Sequence, residues 1–311
     1  MNLNHLAIFH AVAEQGSISR GAERLFISQP AVSKQIGELE RSLGTRLFDR
    51  LPRGVRLTEA GALLAGYARR LFALEAEAER ALSELKGLDR GRLLVGASVT
   101  IGNYLLPGLL AEFGRRHPGV DVRLDIANTE AIQQRLAEGE LDIGLTEGFA
   151  EDDALEAEVF GEDVLVVIAP PAHPLVIRAR ASGGPVTPER LCLEPFVVRE
   201  PGSGTLAVAE RALAARGLSL RPALTLSHAE AIKRAVIAGA GLAIVSSLTI
   251  AQELAAGTLA VIPVSDLPLR RALHLLRLRG RHEGHATRAF LALLGETTPR
   301  LLGETTPRSA R

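Results

Sequence analysis

Phe26-Ile27-Ser28-Gln29-Pro30-Ala31-Val32-Ser33-Lys34-Gln35-Ile36 is the stretch on which the fold turns. The Ser28 hydroxyl can accept a backbone N–H of the following turn, and Pro30 fits a first helical turn, where no intrahelical donor is required. A helix therefore opens here, carries Ala31, Val32, Ile36, Leu39 and Leu43, and stops at Gly44. Upstream, Leu3 to Gln15 has a one-faced apolar pattern closed by Gly16, and Ser17 can cap a short helix from Ile18 to Leu25. Two helices joined by so brief a turn, at about residues 18–37, have the geometry of a helix-turn-helix, whose second helix enters the major groove.

The exposed end of such a helix should be polar. Ser28, Gln29, Pro30, Ala31, Ser33, Lys34 and Gln35 occupy it, and they are the candidate base and phosphate contacts. Gln pairs bidentately with adenine, hydroxyls suit phosphates or bases, and Lys34 suits guanine or phosphate. After Gly44, Arg46 to Thr58 reads as two short strands around a Pro52/Gly54 turn, a wing. Residues 41–56 hold Arg41, Arg46, Arg50, Arg53 and Arg56 against Asp49 alone, and Arg50 and Arg53 are expected on flanking phosphates. Arg41 or Arg56 read alone is as well explained as a solvated surface charge.

The spaced set Ala22, Leu25, Ser28-Gln29-Pro30-Ala31-Val32-Ser33, Gln35-Ile36, Leu39-Glu40, then Leu43-Gly44, Leu47-Phe48, Arg50, Leu57-Thr58 and Ala60-Gly61 resembles the LysR-type transcriptional regulators. A small helical protein-interaction domain would account for the helices but not for this spacing. The resemblance implies a winged helix-turn-helix over residues 1–58, double-stranded promoter DNA as a partner, a dimer that assembles further to a tetramer, and promoter activation with RNA polymerase as a further partner.

From Thr58 to Asp89 no proline interrupts the chain. Tyr67, Leu71, Leu74, Ala78, Ala81, Leu85 and Leu88 recur at spacings of four and three, a heptad seam with charged residues between its members. Residues 59–88 are therefore expected to form a long dimerisation helix of coiled-coil type. A helix packed on its own domain is the alternative.

Gly87 to Gly91 marks a hinge, after which strand and helix patterns alternate. Expected strands are Leu93–Ala97, Val120–Ile126, Asp142–Leu145, Val164–Ala169, Phe196–Val198 and a run near Ala223–Leu226, with helices near 105–117, 130–138 and 205–216. Alternation implies an α/β domain, 89–295, built on largely parallel sheets. The LysR-type resemblance extends here and implies two lobes like those of periplasmic binding proteins: lobe I at about 92–162 and 270–295, lobe II at about 163–269, with crossovers near 162–169 and 264–272. Ligands of such sheets bind beyond the carboxyl ends of strands. The candidates there are Ser98, Thr100, Thr129, Glu147, Arg199, Ser203, Thr205 and Ser246; hydroxyls, helix N-termini and Arg199 favour a small anionic metabolite. Routine helix capping is the competing explanation for Ser98, Thr129 and Ser203. The segment from Gly96 to Pro107 is similar to that of LysR-type regulators of carbon-fixation and sulfite or cysteine-assimilation operons, which suggests a phosphorylated metabolite, a nucleotide or sulfite.

Other classes fit less well. Neither Gly96-Ala97-Ser98-Val99-Thr100 nor Pro201-Gly202-Ser203-Gly204-Thr205 completes a nucleophile elbow, and the eight histidines lack metal-ligand spacing, so neither catalytic nor metal-binding residues are expected, nor a cofactor beyond the effector. A nucleoid protein would leave the α/β module unexplained, and a metabolite-binding protein without DNA would leave the N-terminus unexplained. Lys and Arg number 36 against 36 Asp and Glu, so only local charge is informative. No apolar run reaches the roughly 18 residues of a membrane span, Met1 to Phe9 does not read as an export signal, and the lone Cys192 fits a reducing compartment; a cytoplasmic protein is expected. The octapeptide Leu293 to Arg300 recurs verbatim as Leu301 to Arg308, and residues 296–311 are expected to be a frayed tail.

Overall fold

The structure, a computed structural model, describes residues 2–85, 91–148 and 152–301. The expected hinge residues Gly87 to Arg90, the seam position Leu88 and the second octapeptide copy beyond Leu301 lie outside the described residues, as do the side chains of the seam positions Ala81 and Leu85. The chain divides into two compact units near Leu82.

The first unit opens with α1 (Leu3–Gln15), α2 (Ile18–Leu25) and α3 (Gln29–Leu43). Side chains cap each start: Asn2 accepts the N–H of Asn4 at 2.8 Å, Ser17 that of Arg20 at 3.4 Å and Ser28 that of Ala31 at 3.4 Å. Strands β1 (Phe48–Arg50) and β2 (Val55–Leu57) pair antiparallel as the wing. The Glu40 carboxylate fixes its root by accepting the N–H groups of Leu47 at 2.7 Å and Phe48 at 3.3 Å. Leu6, Phe9, Val12, Val32, Ile36, Leu39, Leu47 and Phe48 form the core.

Helix α4 (Glu59–Leu85) follows, and its inner face, Ala65, Ala68, Leu71 and Phe72, packs into that core. Leu71, read as a seam position, is thus half-buried within its own unit. Leu63, Tyr67, Leu74 and Leu82 stay between 58 and 66% exposed, so the outward apolar stripe keeps the expected seam positions Tyr67 and Leu74 but not Leu71. A single helix serves both faces because its first turns must cover the small domain.

The second unit contains β3 (Gly91–Ser98), α5 (Leu106–Arg116), β4 (Val120–Ala127), α6 (Thr129–Ala137), β5 (Ile143–Glu147) and the long β6 (Leu155–Ala169). Next come α7 (Pro174–Ser182), α8 (Pro188–Leu191), β7 (Pro195–Arg199), α9 (Gly204–Ala214), β8 (Arg221–Leu226), α10 (Ala229–Ile237), β9 (Ala243–Ser246), α11 (Ala251–Ala255), β10 (Ala260–Ile262), β11 (Arg270–Leu278) and α12 (His285–Leu301). Lobe I orders its strands β4-β3-β5-β11-β6. The second half of β6 then pairs with β9 and β10 in lobe II. Each lobe has its own core: Leu93, Ile101, Phe113, Leu145 and Phe290 in one, Leu191, Phe196, Leu213, Leu242 and Ile262 in the other.

Sheet polarity departs from the sequence expectation. Strand β3 is parallel to β4 and β5, and β7 to β8, but β11 is antiparallel to β5 and β6, and β6 to β9 and β10. The reason is topological: β6 carries the chain out of lobe I and β11 brings it back alongside. Helix α12 also continues through Leu301, past the tail boundary expected at 295, because Phe290, Leu293 and Leu294 anchor it to the lobe I core.

Candidate DNA-reading surface and effector cleft

At the start of α3, Ser28, Gln29, Pro30 and Lys34 are exposed, while Ala31, Ser33 and Gln35 are half-buried. Part of this set has local work. Ser28 is the cap, Gln29 accepts the Ser19 hydroxyl at 3.3 Å, and Gln35 accepts an Asn4 amide hydrogen at 3.2 Å, which ties α3 to α1 and α2. Lys34 lies 4.0 Å from Glu38, a loose exposed pair that leaves its ammonium available. On the wing, Arg50 and Arg53 are exposed and make no ion pair among the described residues, whereas Arg56 is held by Asp49 at 3.3 Å.

The cleft is organised by a residue that sequence reasoning missed. Arg271, on β11, is buried and faces both lobes. Its Nε donates to Asp163 Oδ2 at 2.8 Å, and Nη2 lies 2.6 Å from the same oxygen. Its Nη1 donates to the Thr205 hydroxyl at 2.8 Å and sits 3.2 Å from Glu147 Oε1, and Nη2 donates to the Thr100 hydroxyl at 3.2 Å. Ser246 completes the group by donating to Asp163 Oδ1 at 2.8 Å. Thr100, Glu147 and Thr205, chosen from three separate loops, therefore meet on one guanidinium, and Ser246 joins them through Asp163. Arg271 is opposed to Asp163 across the β11–β6 ladder, a pairing invisible to local pattern.

Around this centre the lobes touch directly. The Glu130 N–H of lobe I donates to the Gly202 carbonyl of lobe II at 3.2 Å, and within lobe I the Thr129 hydroxyl donates to the Glu147 carbonyl at 3.1 Å. A Cβ on Gly204 would stand 2.2 Å from the Glu147 carbonyl oxygen, so only glycine lets α9 approach the end of β5 so closely. Ser203 is buried at the start of α9 without capping it. The Ser98 hydroxyl and Glu147 Oε2 are buried with no hydrogen-bond partner, and such atoms are rare in proteins. Arg199 is the outlier: it is buried, but Glu200 holds it in a two-pronged pair at 2.8 and 2.9 Å, away from Arg271's partners.

A second link spans the lobes through Tyr104, in the π-helical turn after β3. Its hydroxyl donates to Glu230 on α10 at 2.7 Å; burial foremost, then this bond, raises its pKa. Lys233 binds the Thr249 carbonyl at 2.9 Å and Glu253 at 2.7 Å; burial opposes its charge, yet hydrogen bonds to Glu230 and Glu253 leave its pKa raised. Cys192 is buried, and desolvation pushes its thiol pKa up, which disfavours the thiolate. Among the described residues, no helix is long and apolar enough to cross a membrane.

A winged helix-turn-helix, a long helix and a two-lobed α/β domain closed around a polar cluster define a class: DNA-binding transcriptional regulators with a small-molecule effector domain. Residues 3–62 match the bacterial regulatory helix-turn-helix protein, lysR family, and residues 86–299 match the LysR substrate binding domain; the chain belongs to the LysR family. It is a transcriptional regulator, not an enzyme. The chain is 40% identical over 290 residues to the RuBisCO operon transcriptional regulator of Allochromatium vinosum, spanning 93% of this chain and 94% of that protein. It is 32% identical over 292 residues to the transcriptional activator CmpR of Synechocystis sp., covering 94% of each. Among solved structures, the regulatory domain of Synechocystis CcmR in complex with 2-PG superposes with a TM-score of 0.62 at 31% identity, covering 67% of this chain and 98% of that one.

Proposed function

We propose that this regulator is a promoter-binding activator that works in the cytoplasm as a dimer, joined through residues 59–88, and as a tetramer built from dimers. Two copies of α3 read two half-sites, with Gln29, Pro30, Ala31, Ser33, Lys34 and Gln35 toward bases or phosphates, Ser28 shaping the helix start, and Arg50 and Arg53 on flanking phosphates. The exposed stripe of Leu63, Tyr67, Leu74 and Leu82 supports pairing. The activator reading draws on the likeness to CmpR and brings RNA polymerase in as a partner.

The observation that carries the effector reading is the convergence of both lobes on Arg271. A group that bonds Thr100 from one side and Thr205 from the other senses whether the lobes are closed. The ligand is a small anionic metabolite. It competes with Glu147, the more distant carboxylate, for the guanidinium while Asp163 keeps that group oriented; the unpartnered Ser98 hydroxyl, Thr129, Ser203 and Ser246 line the same region. Arg199, already neutralised by Glu200, has the lesser role of shaping the loop before α9. The likeness to a domain solved with 2-PG supports a ligand of metabolite size.

The test is binding of the full chain to its own upstream intergenic DNA across a salt series, with and without small phosphorylated and carboxylated metabolites. Sequence-dependent complexes should weaken with salt, disappear in Ser33→Ala/Lys34→Ala, and respond to at least one anion. Absence of any complex above non-specific DNA would overturn the promoter reading. A ligand response untouched by Thr100→Ala and Thr205→Ala would overturn the site.

A further inference from the structure

Phe26 combines two features that are found together nowhere else among the described residues. It ends α2 with φ +55° and ψ +36°, in the left-handed region, where a side chain with a Cβ is disfavoured and glycine or asparagine is the usual occupant. Among the described residues only Asp266 shares a positive φ without being glycine. Phe26 is also 95% exposed, the highest value among the large hydrophobic residues described. Its backbone N–H reaches the Ala22 and Glu23 carbonyls, so the turn needs a backbone there, but the ring contributes nothing to the core. An aromatic ring that costs conformational energy and gains no burial is explained by what it meets outside the chain.

The occupant follows from position. Phe26 and the partly exposed Ile27 run directly into the exposed residues Ser28, Gln29 and Pro30, so the ring is continuous with the end of α3 that faces the major groove in the promoter-binding reading, on which this inference rests. An uncharged ring offers nothing to a phosphate. In the major groove, its apolar counterpart is the thymine 5-methyl group, which Phe is suited to contact. We propose that Phe26 is a specificity-determining DNA contact, packed against a thymine methyl beside the bases read by α3.

The test uses the full chain, its upstream intergenic DNA, and the same DNA with deoxyuridine in place of thymidine, which removes only the methyl groups. Phe26→Asn removes the ring while suiting the left-handed backbone, so the variant should fold at least as well, with its thermal midpoint unchanged or raised. It should bind the natural sequence roughly fivefold or more weakly. Because no charge is lost, non-specific affinity and the salt slope should stay as in the wild type. The decisive result is non-additivity: deoxyuridine should weaken the wild type and leave Phe26→Asn nearly indifferent. Phe26→Leu, which keeps apolar surface, should retain most of the affinity.

Equal binding by wild type and Phe26→Asn would overturn the proposal, as would an equal loss of both on deoxyuridine DNA. Normal operator binding combined with lost activation in reconstituted transcription would assign the ring to RNA polymerase and overturn it too. If the wild type itself forms no sequence-specific complex, the promoter reading fails and this inference falls with it. Specific wild-type binding alongside an unaffected variant sinks the inference alone.

Discussion

Replacing Arg271 with Met leaves Asp163 and Glu147 buried without their counter-charge, and removing one partner of a buried ion pair costs about 3–5 kcal/mol. Chemical denaturation should show that loss in the effector-domain transition, with the DNA-binding unit unaffected; a change within about 0.5 kcal/mol would deny the cluster its role. His274 offers a pH test. It is half-buried on β11, its Nδ1 has no partner, and desolvation lowers its pKa below the ordinary 6.5. The native state then binds fewer protons than the unfolded chain as pH falls through 6.5, so this residue's share of stability is present at neutral pH and lost toward acid. Thermal midpoints at pH 7.5 and 5.5 should differ less in His274→Gln than in the wild type. His10, lowered chiefly by burial, has the same sign in the other unit and persists in that variant. At this scale the sequence reveals residues with local jobs, such as the Ser28 cap and the loop hydroxyls. Arg271 and Asp163 escape it because their meaning lies in a pairing between positions 108 apart in the chain.

Helix α4 shows how an element can be read correctly in kind while one position of its apolar seam turns to another partner. Its length and lack of proline were plain, but a heptad pattern cannot tell which apolar face is already taken by the domain it leaves. Leu71 is claimed by the DNA-binding core, and Leu63 and Leu82 replace it on the outer stripe. A charge on that stripe should block pairing while sparing the fold. Leu74→Glu is expected to halve the sedimenting mass at micromolar concentration and to lose the cooperative, two-half-site complex, with the far-ultraviolet circular dichroism preserved. Unchanged mass would place the dimer contact elsewhere. Sheet polarity failed for a related reason: nothing local in β6 or β11 marks strand direction, and only their shared role as crossovers makes them antiparallel.

Across the whole molecule, coupling between cleft and operator is limited by the effector's preference for one lobe arrangement, typically about 1–3 kcal/mol. The lobes themselves are joined by β6 and β11, the two described strands that carry the chain between them. A chain ended at residue 265 retains all strands of lobe II but loses β11 and α12, hence a central strand and a docking helix of lobe I. It should still bind DNA, without ligand response, and its sensor should be cut by protease far faster than that of the full chain; effector control surviving intact would refute the topology. The α/β character was legible because strand and helix alternation is local, whereas the two lobes and their crossovers were legible only through family likeness.

The late position of β11 has a consequence for the order in which this protein comes into being. Synthesis proceeds from the N-terminus, and domains fold as they emerge. The winged helix-turn-helix, with every strand and helix in place by Leu57, is complete while the ribosome is still making the sensor, and lobe II has all its strands by Ile262. Lobe I, begun first of the two at Gly91, must wait with an open sheet for Arg270 to Leu278. For that interval the nascent chain is a DNA binder without a working sensor, and its oldest half-built sheet depends on some of the last residues made.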